Sequence, residues 1–277
     1  MMEDSAAHYL VKQRFSYVYP GPICNLRHRL LVSPLDSDGG QRRLSRRLSI
    51  SPDVAVMTQT DAFGNDVVYF DAERVEGKLE IEAESLVERR HGFELRRVDP
   101  RWLSDPLFRA STALTRPDGA LDAVALELKR ESANDVELVA AINAFVFGAM
   151  TYRKDVTNVA TTASEAFRLR AGVCQDYAHV VIAIARACGL AARYVSGHLL
   201  GEGGTHAWVE IVLPSEDGQS AVAWPFDPTH NRRESLDYIV VAIGRDYSDV
   251  APTSGTFEAP YNGTLTCEKV VRRLPAA

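Results

Sequence analysis

The chain has 277 residues, 46% of them hydrophobic and 25% charged, with a formal net charge of −6 at pH 7. That length supports one large or two modest domains with real cores, and the acidic balance argues against a protein organised around nucleic acid or an anionic membrane. The opening residues MMEDSAAHYLVKQRF hold no apolar signal core, and no stretch approaches the ~20 apolar residues of a membrane span.

The first third reads as β. YLVKQRFSYVYP, ICNLRHRLLVSP and RRLSRRLSISP alternate apolar and polar positions and are separated by Pro, Gly, Asp and Ser. The Arg-rich run Arg42–Arg47 within them is expected to be a solvated strand or loop. VAVMTQTDAFGNDVVYF predicts a hairpin, with Gly64-Asn65 at a turn that needs positive φ. GKLEIEAESLVERR continues the alternation, so residues 1–95 are expected to form an N-terminal β-sandwich. Residues 96–134, broken by Pro100, Pro106 and Pro117, read as linker and helical connection. From Leu121 the apolar period becomes helical. Asp135 is the expected N-cap of a helix running to Ala149, and Thr162 or Ser164 that of a short helix in TTASEAFRLRAG, with Gly172 helping to end it. A core helix follows from Cys174 to Ala187, with Gly189 as its stop and Tyr177, Val181, Ile184 and Cys188 along one apolar face. LAARYVSGHLL, THAWVEIVL and AVAWPFDP read as three strands. Residues 135–277 are taken as a second domain carrying the C-terminal strands, which makes the fold class α+β.

The four cysteines, Cys24, Cys174, Cys188 and Cys267, are widely spaced and form no CxxC pair. Reduced thiols in a cytoplasmic protein are expected, without a disulfide framework or zinc knuckle. Cys24 and Cys267 lie in strand-like runs and Cys188 on an apolar helix face, where a thiol is packing material. Cys174 differs, because a helix N-terminus favours the thiolate, the nucleophilic form. His206 opens the strand HAWVEIV, and period-two alternation puts His206, Trp208 and Glu210 on one face. Asp227 closes the strand WPFD, and an antiparallel neighbour carrying it can hold a carboxylate beside His206. A thiol, an imidazole that returns its proton and an acid that orients the ring are the parts of nucleophilic acyl transfer. Taken singly, each has a structural explanation; Asp before Pro, for one, is common turn chemistry.

Taken together, GVCQDYAH, ARYVSG, HAWVE and WPFDPT, in this order within residues 172–229, resemble the core of the transglutaminase-like superfamily, whose members use a Cys-His-Asp triad on a papain-like fold. TYRKDVTNVATTASEAF and YIVVAIGRDYSDVAPTSGTF resemble the flanking segments, and LRHRLLVSP and DAFGNDVVYF resemble the N-terminal β-domain fused to such cores in bacteria. The resemblance implies a papain-like core with Cys174 as nucleophile, His206 as general base and acid, and Asp227 as the orienting acid. Ala192 stands where many relatives carry Pro, and His198 where an aromatic Tyr is frequent.

The backbone amide of Cys174 is the expected oxyanion donor, since first-turn amides lack an intrahelical partner. Gly172 is expected to let the chain turn into the helix. Gln175 and Asp176 support its first turn, Asp176 as a cap. Trp208 walls the cleft or packs, and His179 is structural. The implied activity is acyl transfer on an amide or peptide bond through a thioester, with hydrolysis as the leading expectation. Transfer to an amine, as in a transglutaminase, or a non-catalytic binding module on the same fold are the alternatives. A zinc hydrolase built from His198, His206, Asp227 and His230 matches no zinc spacing and leaves Cys174 unexplained. No EF-hand-like loop occurs, so no metal or cofactor is expected. The expected partner is a protein, peptide or small amide substrate, not nucleic acid or membrane.

Overall fold

The protein is described from a computed structural model covering residues 6–90 and 96–275. Its N-terminal part is a run of strands: β1 (Ala6–Val18), β2 (Ile23–Leu30), β3 (Ser37–Asp38), β4 (Gln41–Ser51), β5 (Val56–Thr60), β6 (Asp66–Val75) and β7 (Lys78–Arg90). In β1 the side chains of Tyr9, Val11 and Phe15 point inward, and in β7 Leu79, Ile81 and Val87 do so. Alternate positions meet solvent, as expected of sheets with one buried face. The Arg42–Arg47 run lies on β4 with mostly exposed side chains. The hairpin between β5 and β6 turns through residues 61–65. Gly64 takes φ +89°, and Asp61 Oδ1 accepts the amides of Phe63 and Asn65, both at 2.9 Å.

The second half supplies β8 (Arg96–Val98), α1 (Pro106–Arg109), α2 (Gly119–Glu131), α3 (Asp135–Ala149), β9 (Thr151–Tyr152), α4 (Ala163–Leu169), β10 (Ala171–Gly172) and α5 (Cys174–Ala187). Then come β11 (Ala191–Leu199), β12 (His206–Pro214), β13 (Ala221–Phe226), β14 (Tyr238–Gly244) and the short α6 (Tyr247–Val250). A five-stranded antiparallel sheet runs β14-β11-β12-β13-β8. Helices α2, α3 and α4 and this sheet enclose α5, which is buried from Gln175 to Arg186. The helix is therefore buried all round, beyond the single Tyr177–Val181–Ile184–Cys188 stripe. Arg186 is accommodated because its guanidinium donates to the carbonyls of Phe108, Ala192 and Arg245 and to Thr115 Oγ1. Among the described residues, no helix is long and apolar enough to cross a membrane.

The helix ends follow local chemistry. Asn134, one residue before Asp135, is the N-cap of α3, its side chain accepting from the Glu137 amide at 2.9 Å. Thr162 caps α4 in a reciprocal box with Glu165. Arg170, in the left-handed region at φ 53°, ends α4 before Gly172 is reached. Gly189, at φ +85°, closes α5: its amide donates to Arg186 and that of Leu190 to Ala185, a Schellman stop.

The C-terminal strands β15 (Thr253–Glu258) and β16 (Thr264–Arg273) correct the division at residue 95. They do not extend the second domain. β16 pairs with β1 and β15 with β2, giving sheets ordered β16-β1-β7-β4-β3 and β15-β2-β6-β5. Phe15, Leu79 and Ile81 of one sheet share a core with Ile23, Leu26, Val68 and Phe70 of the other. Without β15 and β16, the outer edges of β1 and β2 would be open ladders. The stretch 96–134 is likewise more than linker, since β8 pairs with β13 and α2 packs on α5. The two parts are tied by side-chain amides that act as surrogate strands on the free edge of β14. Gln41 donates to the Val240 carbonyl and accepts its amide, both at 2.9 Å, and Asn65 does the same at Ile243, at 2.7 and 2.8 Å.

Candidate active site

Cys174 is fixed by what surrounds the start of α5. β10 pairs in parallel with β9, setting Gly172 opposite Tyr152. Asp176 then reaches back: its Oδ2 accepts the Val173 amide at 2.7 Å and Thr157 Oγ1 at 2.7 Å. Gly172 has a different reason from the tight turn expected of it. A Cβ there would collide with the Asp176 carboxyl, so the missing side chain makes room for the cap. With the Val173 amide taken by Asp176, the Cys174 amide at the first helical position has no intrahelical acceptor. Cys174 is partly exposed and lines an open cleft of about 940 Å³. Gln175 lines it too and donates through Nε2 to the Val159 carbonyl at 3.3 Å.

His206 begins β12, and Asp227 follows β13, its antiparallel neighbour. A backbone bridge between Asp227 and Arg232 folds residues 227–232 into a loop that turns the Asp227 side chain toward β12. His206 Nε2 donates to Asp227 Oδ2 at 2.8 Å. The same oxygen accepts His230 Nδ1 at 2.7 Å and Tyr238 OH at 2.6 Å, while Oδ1 accepts the amides of Thr229 and His230 at 2.9 and 3.3 Å. Arg232 Nε donates to Tyr238 OH at 2.8 Å, completing the chain.

Burial opposes charge on both groups, but the interactions win. The hydrogen bond to Asp227 and the nearby Cys174 thiol and Glu202 carboxylate outweigh desolvation and lift His206 from 6.5 to about 11. Those from His206, Tyr238 and His230 hold Asp227 well below the usual carboxylate range against its burial. The ring is thus an imidazolium at neutral pH. Its Nε2 is committed to Asp227, which leaves Nδ1 facing the cleft.

Trp208 does not wall the cleft. It is fully buried beside the His206 ring, centroids 6.1 Å apart, and packs edge-on against Tyr238 at 5.2 Å, so it backs the imidazole. His179 is buried and neutral, burial pulling it down to about 4, and accepts the Tyr247 amide through Nε2 at 3.2 Å. His206, Asp227 and His230 converge closely enough to be considered as metal ligands, but His198 is not among them. Both imidazoles already donate protons to one Asp227 oxygen, an arrangement satisfied without an ion.

Residues not singled out by sequence complete the site. Tyr152, Tyr194 and Ser196 line the cleft, and Tyr238 and Arg232 buttress Asp227. Glu202, in the glycine-rich loop GEGG, lies 3.3 Å from His206 Nδ1 and 3.4 Å from His230 Nε2. Only the glycines flanking it hinted at a loop over the cleft.

Residues 9–88 match the model of the bacterial transglutaminase-like N-terminal region, and residues 122–227 that of the transglutaminase-like superfamily. An uncharacterized protein of Mycobacterium tuberculosis is 32% identical over 89% of this chain and 86% of its own length. The chain belongs to the transglutaminase-like superfamily. A Mycobacterium leprae relative is 27% identical over 87% of this chain and 90% of its own. A crystal structure described as "a Putative Cysteine Protease from Cytophaga hutchinsonii" superposes with a TM-score of 0.79 at 22% identity, over 99% of this chain and 92% of that one. This likeness extends the transglutaminase-like fold across both halves. The protein has the papain-like, cysteine-based catalytic fold of its superfamily.

Proposed function

We propose that this transglutaminase-like protein is a thiol-dependent amide hydrolase acting through Cys174, His206 and Asp227. The thiolate of Cys174 attacks the carbonyl carbon, and the Cys174 amide donates a hydrogen bond to the developing oxyanion. The Nδ1 proton of His206 passes to the amide nitrogen, the C–N bond breaks and an amine departs. Water then adds to the thioester, giving its proton to the now neutral His206, and the C–S bond breaks to release the acid and restore the ion pair. Asp227 holds the ring's orientation and charge throughout. The observation that carries this reading is the buried His206–Asp227 pair at 2.8 Å, with the ring's second nitrogen left to the cleft that Cys174 lines. The open cleft admits water, which favours hydrolysis over transfer to an amine. The cysteines are all unpaired, which supports a reducing, cytoplasmic setting.

The test is a proteome-derived peptide mixture incubated with the protein in heavy-oxygen water and read by mass spectrometry. New acids carrying the label, absent with Cys174→Ala, are expected. Turnover that survives Cys174→Ala overturns the reading. Labelled acids replaced by amine adducts would assign transamidation instead.

A further inference from the structure

We propose that Glu202 forms a cation-accepting subsite on the leaving-group side of the cleft, so that the preferred substrates present an ammonium group next to the scissile nitrogen. This rests on the acyl-transfer reading above. Within that reading the side is fixed by chemistry: Nδ1 of His206 protonates the departing nitrogen, so whatever adjoins Nδ1 adjoins the leaving group. What adjoins it is the Glu202 carboxylate, with Oε2 3.3 Å from Nδ1 and Oε1 3.4 Å from His230 Nε2. His206 is 1% exposed, and its Nδ1 makes no well-aligned hydrogen bond, although it faces the cleft. The backbone that carries the carboxylate is held in place. Its residue sits in a turn where the Glu202 amide donates to the Leu199 carbonyl at 3.1 Å and the Leu200 amide to Asp237 at 2.9 Å.

The charge balance changes during the reaction. In the resting site the imidazolium partners Glu202. Once Nδ1 has given its proton to the leaving nitrogen, the ring is neutral and the carboxylate loses that partner. An ammonium on the leaving group supplies a new one at that step, so the interaction grows as the C–N bond breaks, the condition for raising rate rather than only binding. Among the other charges lining the cleft, Asp155 reinforces this preference and Lys154 opposes it. Neither is ion-paired with the imidazole, as Glu202 is.

The test uses the full-length protein and thiol-directed methanethiosulfonates of equal reach: ethylammonium, neutral methyl and ethylsulfonate. Labelling of Cys174 is followed by peptide mass mapping. The cation-to-anion rate ratio in wild type is expected to exceed that of Glu202→Gln by about tenfold, as one removed carboxylate a few ångströms away acts oppositely on the two probes. It should shrink in high salt. Diaminobutane, but not succinate, should slow labelling by the neutral reagent in wild type, and Glu202→Gln should abolish that protection. Equal ratios in the two proteins overturn the subsite while leaving acyl transfer intact. A neutral-reagent rate unchanged by His206→Ala sinks the acyl-transfer reading instead, whatever the ratio. Cys174 inert to all three reagents overturns both.

Discussion

Replacing Asp227 by Asn keeps the side chain's shape but removes its charge from a site that is 0% exposed. In the wild type, the hydrogen-bond partners of His206 outweigh burial and raise the ring from 6.5 to about 11, with Asp227 the foremost of them. Removing one partner of a buried ion pair costs about 3–5 kcal/mol. At about 1.4 kcal/mol per pKa unit, that lowers the ring by roughly two to four units, to between about 7 and 9.

Proton NMR of the ring C–H resonances, with His206→Gln identifying the signal, reads this directly. Wild type should show no His206 titration up to pH 9, and Asp227→Asn should show a midpoint within that range. The sign for stability is definite. Because the folded-state value of His206 is raised, its contribution is complete below about pH 6.5 and is lost as pH rises toward about 11. The depressed Asp227 contributes above about pH 4 and loses its share as pH falls below that. Asp227→Asn should therefore flatten both limbs of the stability profile. Titration of wild-type His206 near 6.5, or an unchanged profile in Asp227→Asn, would refute the buried imidazolium.

Gly172→Ala places a methyl against the Asp176 carboxyl; a loss of about 1–3 kcal/mol in urea unfolding is expected, with slower Cys174 alkylation as the helix start shifts. Gln41→Ala and Asn65→Ala each remove a two-bond amide bridge to β14; the first leaves the Val240 amide unpaired, its carbonyl keeping the Leu35 amide, and the second leaves both the amide and the carbonyl of Ile243 unpaired. Each should cost about 1–3 kcal/mol in urea unfolding, close to additively, since the two bridges share no partner. Glu210 is buried against Arg193, itself 0% exposed. Glu210→Gln should cost about 3–5 kcal/mol by removing the charge that balances that buried guanidinium, whereas a Glu210→Met, Arg193→Met pair should recover most of the loss in thermal unfolding.

The elements that were legible in sequence are those set by local rules. The alternating strands, the Gly64 hairpin, the Thr162 cap and the Gly189 stop each depend on a few neighbouring residues, and the structure has them where the pattern points. The one-residue shift of the α3 cap from Asp135 to Asn134 is a choice between adjacent capping side chains that local chemistry leaves nearly balanced. The GVCQDYAH, HAWVE and WPFDPT words identified the superfamily, and the strand positions of His206 and Asp227 made their meeting plausible.

Their pairing needed the register of β12 on β13 and the Asp227–Arg232 bridge, which join residues far apart in the chain. Tertiary structure alone decided that β15 and β16 return to complete the N-terminal sheets, because an exposed alternating strand fits any open sheet edge equally well. It alone turned Trp208 to the back of His206, assigned Gly172 to a close approach rather than a turn, and brought Glu202 to the imidazole. A strand's pattern says which face a residue takes, but what lies on that face is set by segments packed from elsewhere, and at this site those segments carry the charge.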